Sequence, residues 1–346
     1  MPPALSPSSP WLILNQQSAG AQAFADIFID RMRLLIAARF GFVSRGHKNR
    51  SQQFLTLQSQ IACHAYENAA DGGASDGVAE MTCWICGAPA DSREHKIKKS
   101  DLKSMVGAKL TQADPIYLHT ALRKNRRIGS LNADALKYAP SLCQYCNNTR
   151  TQRHDYAWAC LSEALRSRQP PMTAGQFIRA NSIFPYDTRR AMRDVHLYIV
   201  KLFGCMITEG GVKEIDIGTF ANAILNDRIH RDVYAAFGPA PRGEVEDKVV
   251  ASGSDLEMDV RQDGRCAYAV WIHHVGSLWV RVMYALDDGG RQGLGGAWNP
   301  RFGSKRLLMA EMQAVSAKGT DLKDRESDHG SADAPPLGFS PNSGAA

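Results

Sequence analysis

From Ala21 to Phe42 the apolar residues Phe24, Ile27, Phe28, Leu35 and Ile36 recur at helical spacing, which predicts a helix there. Residues 52–68 read as a second helix, and Asp71-Gly72-Gly73-Ala74-Ser75-Asp76-Gly77 as a linker. His154 to Arg168 continues a helix that stops before Pro170-Pro171, because a residue ahead of proline is pushed out of the α region. Arg189 to Thr208 places Met192, Val195, Ile199, Phe203 and Met206 on one face. Ile217 to Ile229 predicts another helix, closed by a basic turn. The period then changes from helical to alternating. Asp255–Arg261, Ala267–Ile272 and Leu278–Leu286 read as three short strands, with Val275-Gly276-Ser277 turning between the last two. They predict a small antiparallel meander packed on the preceding helices.

The ends of the chain carry no such period. Residues 1–20 are rich in Pro, Ser and Ala, and 318–346 in Gly, Ser, Pro and Asp, so both are expected to be disordered. The organisation expected is a disordered 1–20, a helical region 21–77, a chemistry-bearing domain 78–168, an α+β region 172–316 and a tail 317–346.

Composition excludes some classes. Of the 346 residues 44% are hydrophobic and 22% charged, which supports a sizeable core rather than a disordered chain. The start has no cationic n-region, and Trp11-Leu12-Ile13-Leu14 is too short for a signal h-region. The apolar segment 24–43 is broken by Asp26, Asp30, Arg31, Arg33 and Arg39, so it does not read as a membrane span. The expectation is a soluble, cytoplasmic protein with no membrane partner. The net charge of +6 suits a polyanionic partner.

Two of the cysteine spacings carry chemistry. Cys83-Trp84-Ile85-Cys86-Gly87 lets two thiolates fold back on one ion, with the glycine permitting the tight turn. Cys143-Gln144-Tyr145-Cys146 supplies a second pair. Together they complete a closed tetrahedral set, the pattern of a structural Zn²⁺ rather than a catalytic one. The pairs lie 56 residues apart, against about 15–20 in a simple zinc ribbon, so something large must fold between them. Two unrelated pairs, or a redox pair at Cys83 and Cys86, are the alternatives. Cys63, Cys160, Cys205 and Cys266 sit singly and read as small core residues.

Between the pairs stands Ser92-Arg93-Glu94-His95-Lys96-Ile97-Lys98-Lys99-Ser100, and after the second comes Asn147-Asn148-Thr149-Arg150-Thr151-Gln152-Arg153-His154-Asp155. The order of C-x-x-C, acid-His and C-x-x-C-Asn resembles the HNH endonuclease family, in its zinc-knuckle branch with the phage endonuclease VII type of resolvase. The resemblance covers about residues 81–157. It implies an α+β chain with a ββα-metal HNH core stapled by structural zinc, beside helical segments and the small meander. It implies a metal-dependent endonuclease in which His95 is the general base, and Glu94 and Asn147 hold one catalytic Mg²⁺ or Mn²⁺. On a regular strand Glu94 and His95 point to opposite faces, so a turn or bulge is needed there. In a helix opening at Asn147, Arg150, Thr151 and His154 share its face. Arg150 could then fork onto a phosphate, and His154 could be a further ligand, a phosphate contact or a surface histidine. Asn125 and Asn132 are the candidates for the asparagine that orients the family's catalytic histidine.

Charge gathers where that chemistry is. Residues 93–127 carry a net +7, more than the +6 of the whole chain. Lys96, Lys98, Lys99, Arg123, Lys124, Arg126 and Arg127 are the candidate contacts to nucleic acid, DNA first. The first alternative is a zinc-binding nucleic-acid recognition module without catalysis, and the second a thiol redox protein.

Overall fold

A computed structural model describes residues 11–14, 81–111, 115–120, 124–240, 249–286 and 297–311. The helices expected over 21–42 and 52–68, the linker at 71–77, Cys63, Arg123 and the tail after residue 317 lie outside the described residues. The residues described form one compact unit.

Its frame is a large antiparallel sheet. Strands β1 (Trp11–Leu14), β2 (Ile116–Thr120), β3 (Arg126–Ile128), β5 (Val233–Pro239), β6 (Val249–Gly253), β8 (Cys266–Val275) and β9 (Leu278–Ala285) run in the order β3-β2-β1-β6-β8-β9-β5. Strand β7 (Glu257–Val260) pairs with β8 off that path, and β4 (Phe177–Arg179) pairs with β10 (Arg306–Leu308) in a separate two-stranded ribbon. The expected meander is present as β7-β8-β9, turned through Gly276 at φ +57°, where a side chain would be strained. It is not a small sheet of its own, however. β6 and β5 extend it on either side, and β1 joins it to β2. Trp11–Leu14, expected to be disordered, is instead an interior strand between β2 and β6. Four residues carry too little periodicity to announce a strand; the pairing comes from partners more than a hundred residues away.

The helices are α1 (Lys99–Val106), α2 (Gln152–Arg166), α3 (Thr188–Glu209) and α4 (Ile217–Leu225). α3 starts where Asp187 accepts a hydrogen bond from Arg190 N, and α4 where Asp216 accepts from Gly218 N. The periodicity predicted α3 as amphipathic. In fact every residue from Asp194 to Ile207 is buried, so α3 is the central rod of the protein and not a surface helix. Alternate residues of β9 explain the layering: Val280, Val282 and Tyr284 face the core that contains α3, while Trp279 and Met283 face a second cluster. The α3 core also takes in Cys83, Ile85, Tyr138, Cys146 and Trp158, so the segment with the cysteine pairs and the segment after residue 172 share one core. No described helix is long and apolar enough to cross a membrane.

α3 packs on the first cysteine pair through one glycine. A Cβ at Gly204 would lie 2.6 Å from Cζ2 of Trp84. Gly204→Ala gains helix propensity but must displace a packed indole, and we expect a net loss of about 1–3 kcal/mol in a urea unfolding curve. An unchanged midpoint would mean the Trp84 contact is not tight.

Candidate functional site

The segment after Cys86 runs extended against Leu136–Leu142. Lys96 N donates to Leu136 O and Tyr138 N to Glu94 O, either side of the pair His95–Lys137. Ser92 pairs with Leu142, two residues out of that register, and the offset falls at Ala139-Pro140 on the other segment. Pro140 has no N–H to continue the ladder. The bulge that would bring Glu94 and His95 to one face is therefore absent at Glu94-His95 itself. Glu94 is buried against Lys201, whereas His95 is partly buried.

The two cysteine pairs meet at the end of this ribbon. The sulfurs of Cys83, Cys86, Cys143 and Cys146 all lie within 4.8 Å of one another, with Cys86 and Cys143 at 3.6 Å. Tetrahedral thiolates at about 2.3 Å from an ion are about 3.8 Å apart, so the set could hold a structural metal ion. Gly87, at φ +77°, turns the first knuckle, with Gly87 N donating to Cys83 O. Trp84 N donates to Ser141 O and Ser92 N to Leu142 O, so the knuckles are joined by backbone as well as by sulfur. Backbone N–H near Ala88 lowers the exposed Cys86 thiol to about 7, which readies it as a thiolate. Burial raises the thiols of Cys83 and Cys146. Those two would be protonated without a cation beside them. A redox pair needs only two sulfurs, so convergence of all four speaks for an ion. Of the four single cysteines, Cys205 and Cys266 are buried as expected, but Cys160 is exposed.

Around Cys146 the chain makes one wide turn, Tyr145–Arg150, which Thr151 N closes by donating to Cys146 O five residues back. The α-helix begins only at Gln152. This extra residue per turn undoes the shared face expected for a helix opening at Asn147. Arg150 lies over the ring of Tyr145 at 5.3 Å. Thr151 is buried and bonds Cys146 O and Asn147 O. His154 is fully buried on another side, where Nε2 accepts from Arg153 Nε at 3.3 Å and lies 3.7 Å from Asp194. His154, Asp194 and Asp227 could geometrically share an ion, but Arg153 and Arg193 already pair with the acids there.

Asn147 and Glu94 were the expected ligands of a divalent cation. Asn147 Nδ2 donates to Ser92 Oγ at 2.9 Å and to Arg93 O at 3.4 Å, tying the wide turn to the ribbon. Glu94 is 5% exposed, and its Oε2 meets Nζ of Lys201 at 2.8 Å. That ammonium, fully buried on α3, also bonds Asp155 Oδ1 at 2.8 Å and Thr151 Oγ1 at 3.3 Å. Asp155 Oδ2 pairs with Lys98 at 3.0 Å. The Glu94 carboxylate does not fit a divalent ion, because Lys201 already neutralises it, while Asn147 uses its Nδ2 on the ribbon and keeps only Oδ1 as a ligand atom.

His95 is partly buried, and its Nδ1 has no hydrogen-bond partner. Burial first, then the charges of Lys137, Lys99, Lys98 and Lys201, depress its pKa to about 4, so it is neutral at physiological pH. Neither candidate asparagine orients it. Asn132 accepts from Lys99 Nζ at 2.7 Å, and Asn125, at φ +53°, donates its N–H to His119 Nδ1. The basic residues divide. Lys96 is paired with Glu209 at 3.1 Å and lies over Tyr138, and Lys98 is paired with Asp155. Arg127 is exposed on β3, with Lys124 and Arg126 half-exposed beside it.

Lys201 and Glu209 were missed by the sequence reading. Glu209 accepts from Ala139 N at 2.9 Å as well as from Lys96, so α3 grips the ribbon at Lys201 and Glu209 and meets Trp84 of the first knuckle at Gly204 between them. The available signal was Lys201 itself, alone in the apolar run Ile199-Val200-Lys201-Leu202-Phe203, where a lysine must be paired to be buried. Lys201→Met leaves Glu94 and Asp155 without their shared cation. We expect about 3–5 kcal/mol of destabilisation by denaturant unfolding, most of it recovered in Lys201→Met/Glu94→Gln. A single variant as stable as the parent would mean the triad is not closed in solution.

Comparison with protein-family models, curated proteins and solved structures found no match.

Proposed function

We propose that the chain is a zinc-stapled endonuclease of the HNH type, hydrolysing phosphodiesters in nucleic acid, with DNA the substrate to test first. Thiolate ligands and a closed tetrahedral set make zinc the ion for Cys83, Cys86, Cys143 and Cys146. Its part is to lock the ribbon to the wide turn. The observation that carries the reading is His95: a neutral imidazole on the zinc-clamped ribbon, within the field of Lys98, Lys99 and Lys137. A neutral imidazole can take the proton from a water as its oxygen adds to phosphorus; the P–O bond to the leaving ester oxygen breaks, and that oxygen takes a proton from solvent. The lysines favour the incoming phosphate, and that anion in turn raises the basicity of His95. No divalent ion is assigned a step, because Glu94 is already paired with Lys201.

The test is nicking of supercoiled plasmid by the zinc-loaded chain. His95→Ala should lower the rate by about 10²–10⁴-fold while zinc content and thermal midpoint stay the same. Equal rates would end the nuclease reading. The Glu94–Lys201 pair favours a second reading, a zinc-bound nucleic-acid recognition module without catalysis. That reading gives salt-sensitive binding, no nicking, and indifference to His95→Ala.

A further inference from the structure

We infer that the cation at Glu94 is the chain's own, the ammonium of Lys201, and that this seat takes no divalent ion. An ammonium has three N–H donors, and here there are three acceptors: Glu94 Oε2, Asp155 Oδ1 and Thr151 Oγ1. They come from the ribbon, from α2 and from the residue that closes the wide turn, so Lys201 ties these three together, as the cysteines tie the two knuckles to each other. The charges balance as well. Two carboxylates, Glu94 and Asp155, face two ammonium groups, Lys201 and Lys98. No net negative charge is left to draw in Mg²⁺ or Mn²⁺. The site is also dry: Lys201 is fully buried and Glu94 nearly so, whereas Mg²⁺ usually keeps several of its waters. Lys201 lies in a helix well beyond the segment that resembles the HNH family, which is how a residue of the surrounding fold comes to fill a seat inside it.

The consequence for catalysis rests on the nuclease reading: a fixed ammonium, not an exchangeable ion, supplies the positive charge behind His95, and Lys201 acts as a positioning residue. The assignment itself does not need that reading. It is tested by Mn²⁺ titration of the zinc-loaded full chain, followed by electron paramagnetic resonance. The parent and Glu94→Gln should give superimposable curves. Lys201→Ala exposes two carboxylates and a hydroxyl to one another, and should bind Mn²⁺ at least about tenfold more tightly than the parent, a gain that Glu94→Gln added to it removes. Tighter Mn²⁺ binding by the parent than by Glu94→Gln would overturn the assignment, as would a folded Lys201→Ala that gains nothing. If Lys201→Ala does not fold, the comparison of the parent with Glu94→Gln decides alone. Nicking is read separately, first in buffer freed of Mg²⁺ and then with Mg²⁺ added. Mg²⁺-stimulated nicking that Glu94→Gln abolishes would uphold the nuclease and overturn the Lys201 assignment. Absence of nicking under all conditions, with no Glu94-dependent Mn²⁺ uptake, would sink the nuclease and support the assignment.

Discussion

Removing the ion from the four thiolates is expected to unfold the ribbon and the turn that carries Asn147, and with them much of the shared core. Cys83, Cys143 and Cys146 are buried in that core, and no disulfide replaces the ion. Structural zinc sites in small peptides contribute apparent free energies of about 10–16 kcal/mol near neutral pH. Part of that is offset here, because the ribbon is also held by α3 through Lys201 and Glu209. A net loss of several kcal/mol still lowers the melting temperature of a chain of this size by about 10 °C or more. Differential scanning calorimetry with a strong chelator, and of Cys143→Ser without one, checks this. A melting temperature unmoved by either treatment would show that the thiolates are not holding an ion.

Acid should be as damaging. His154, His196, His230, His273 and His274 are all buried, and burial is the first cause of pKa values of about 3, 3, 4, 3 and 4 respectively. His273 has no hydrogen-bond partner on either ring nitrogen and stands against Trp158 and Trp271, and His196 stands against Trp298. In the unfolded chain each titrates near 6.5. The folded values lie below the unfolded one, so between about pH 6.5 and pH 4 the unfolded chain binds more protons, and stability falls as pH falls. Each fully depressed histidine costs about 1.4 kcal/mol per pH unit in that window. Five together outweigh any single substitution considered above. Urea unfolding at pH 7, 6 and 5 should show midpoints dropping with increasing steepness, and His273→Gln should flatten the drop. A midpoint constant from pH 7 to pH 5 would mean these rings reach water or a partner.

The parts of this site that could be read from the sequence are those whose chemistry is local. Two C-x-x-C spacings fix which sulfurs can share an ion, whatever lies between them, and the structure brings all four together. The course of α3, the start of α4 and the meander of β7, β8 and β9 were similarly legible, because turns and periodicity act over a few residues, although α4 ends at Leu225 rather than at Ile229. What was not legible is what arrives from far along the chain. Nothing in Glu94-His95 tells that a lysine a hundred residues later will neutralise the glutamate. Nothing in Cys146-Asn147 announces the wide turn, which moved Arg150 and His154 off the face that α spacing assigns them. The helix Lys99–Val106 was hidden for another reason. Only Leu102 and Asp101 of it are buried, too few to set a helical period, and Asp101 is held by Trp158, Ser162 and Arg166 from α2.

The most direct test of the account is X-ray absorption at the zinc edge on protein purified without added metal. One zinc per chain with a shell of four sulfurs at about 2.3 Å is the result expected from Cys83, Cys86, Cys143 and Cys146. A chain without zinc, or one whose zinc is bound mainly through nitrogen and oxygen, would contradict it.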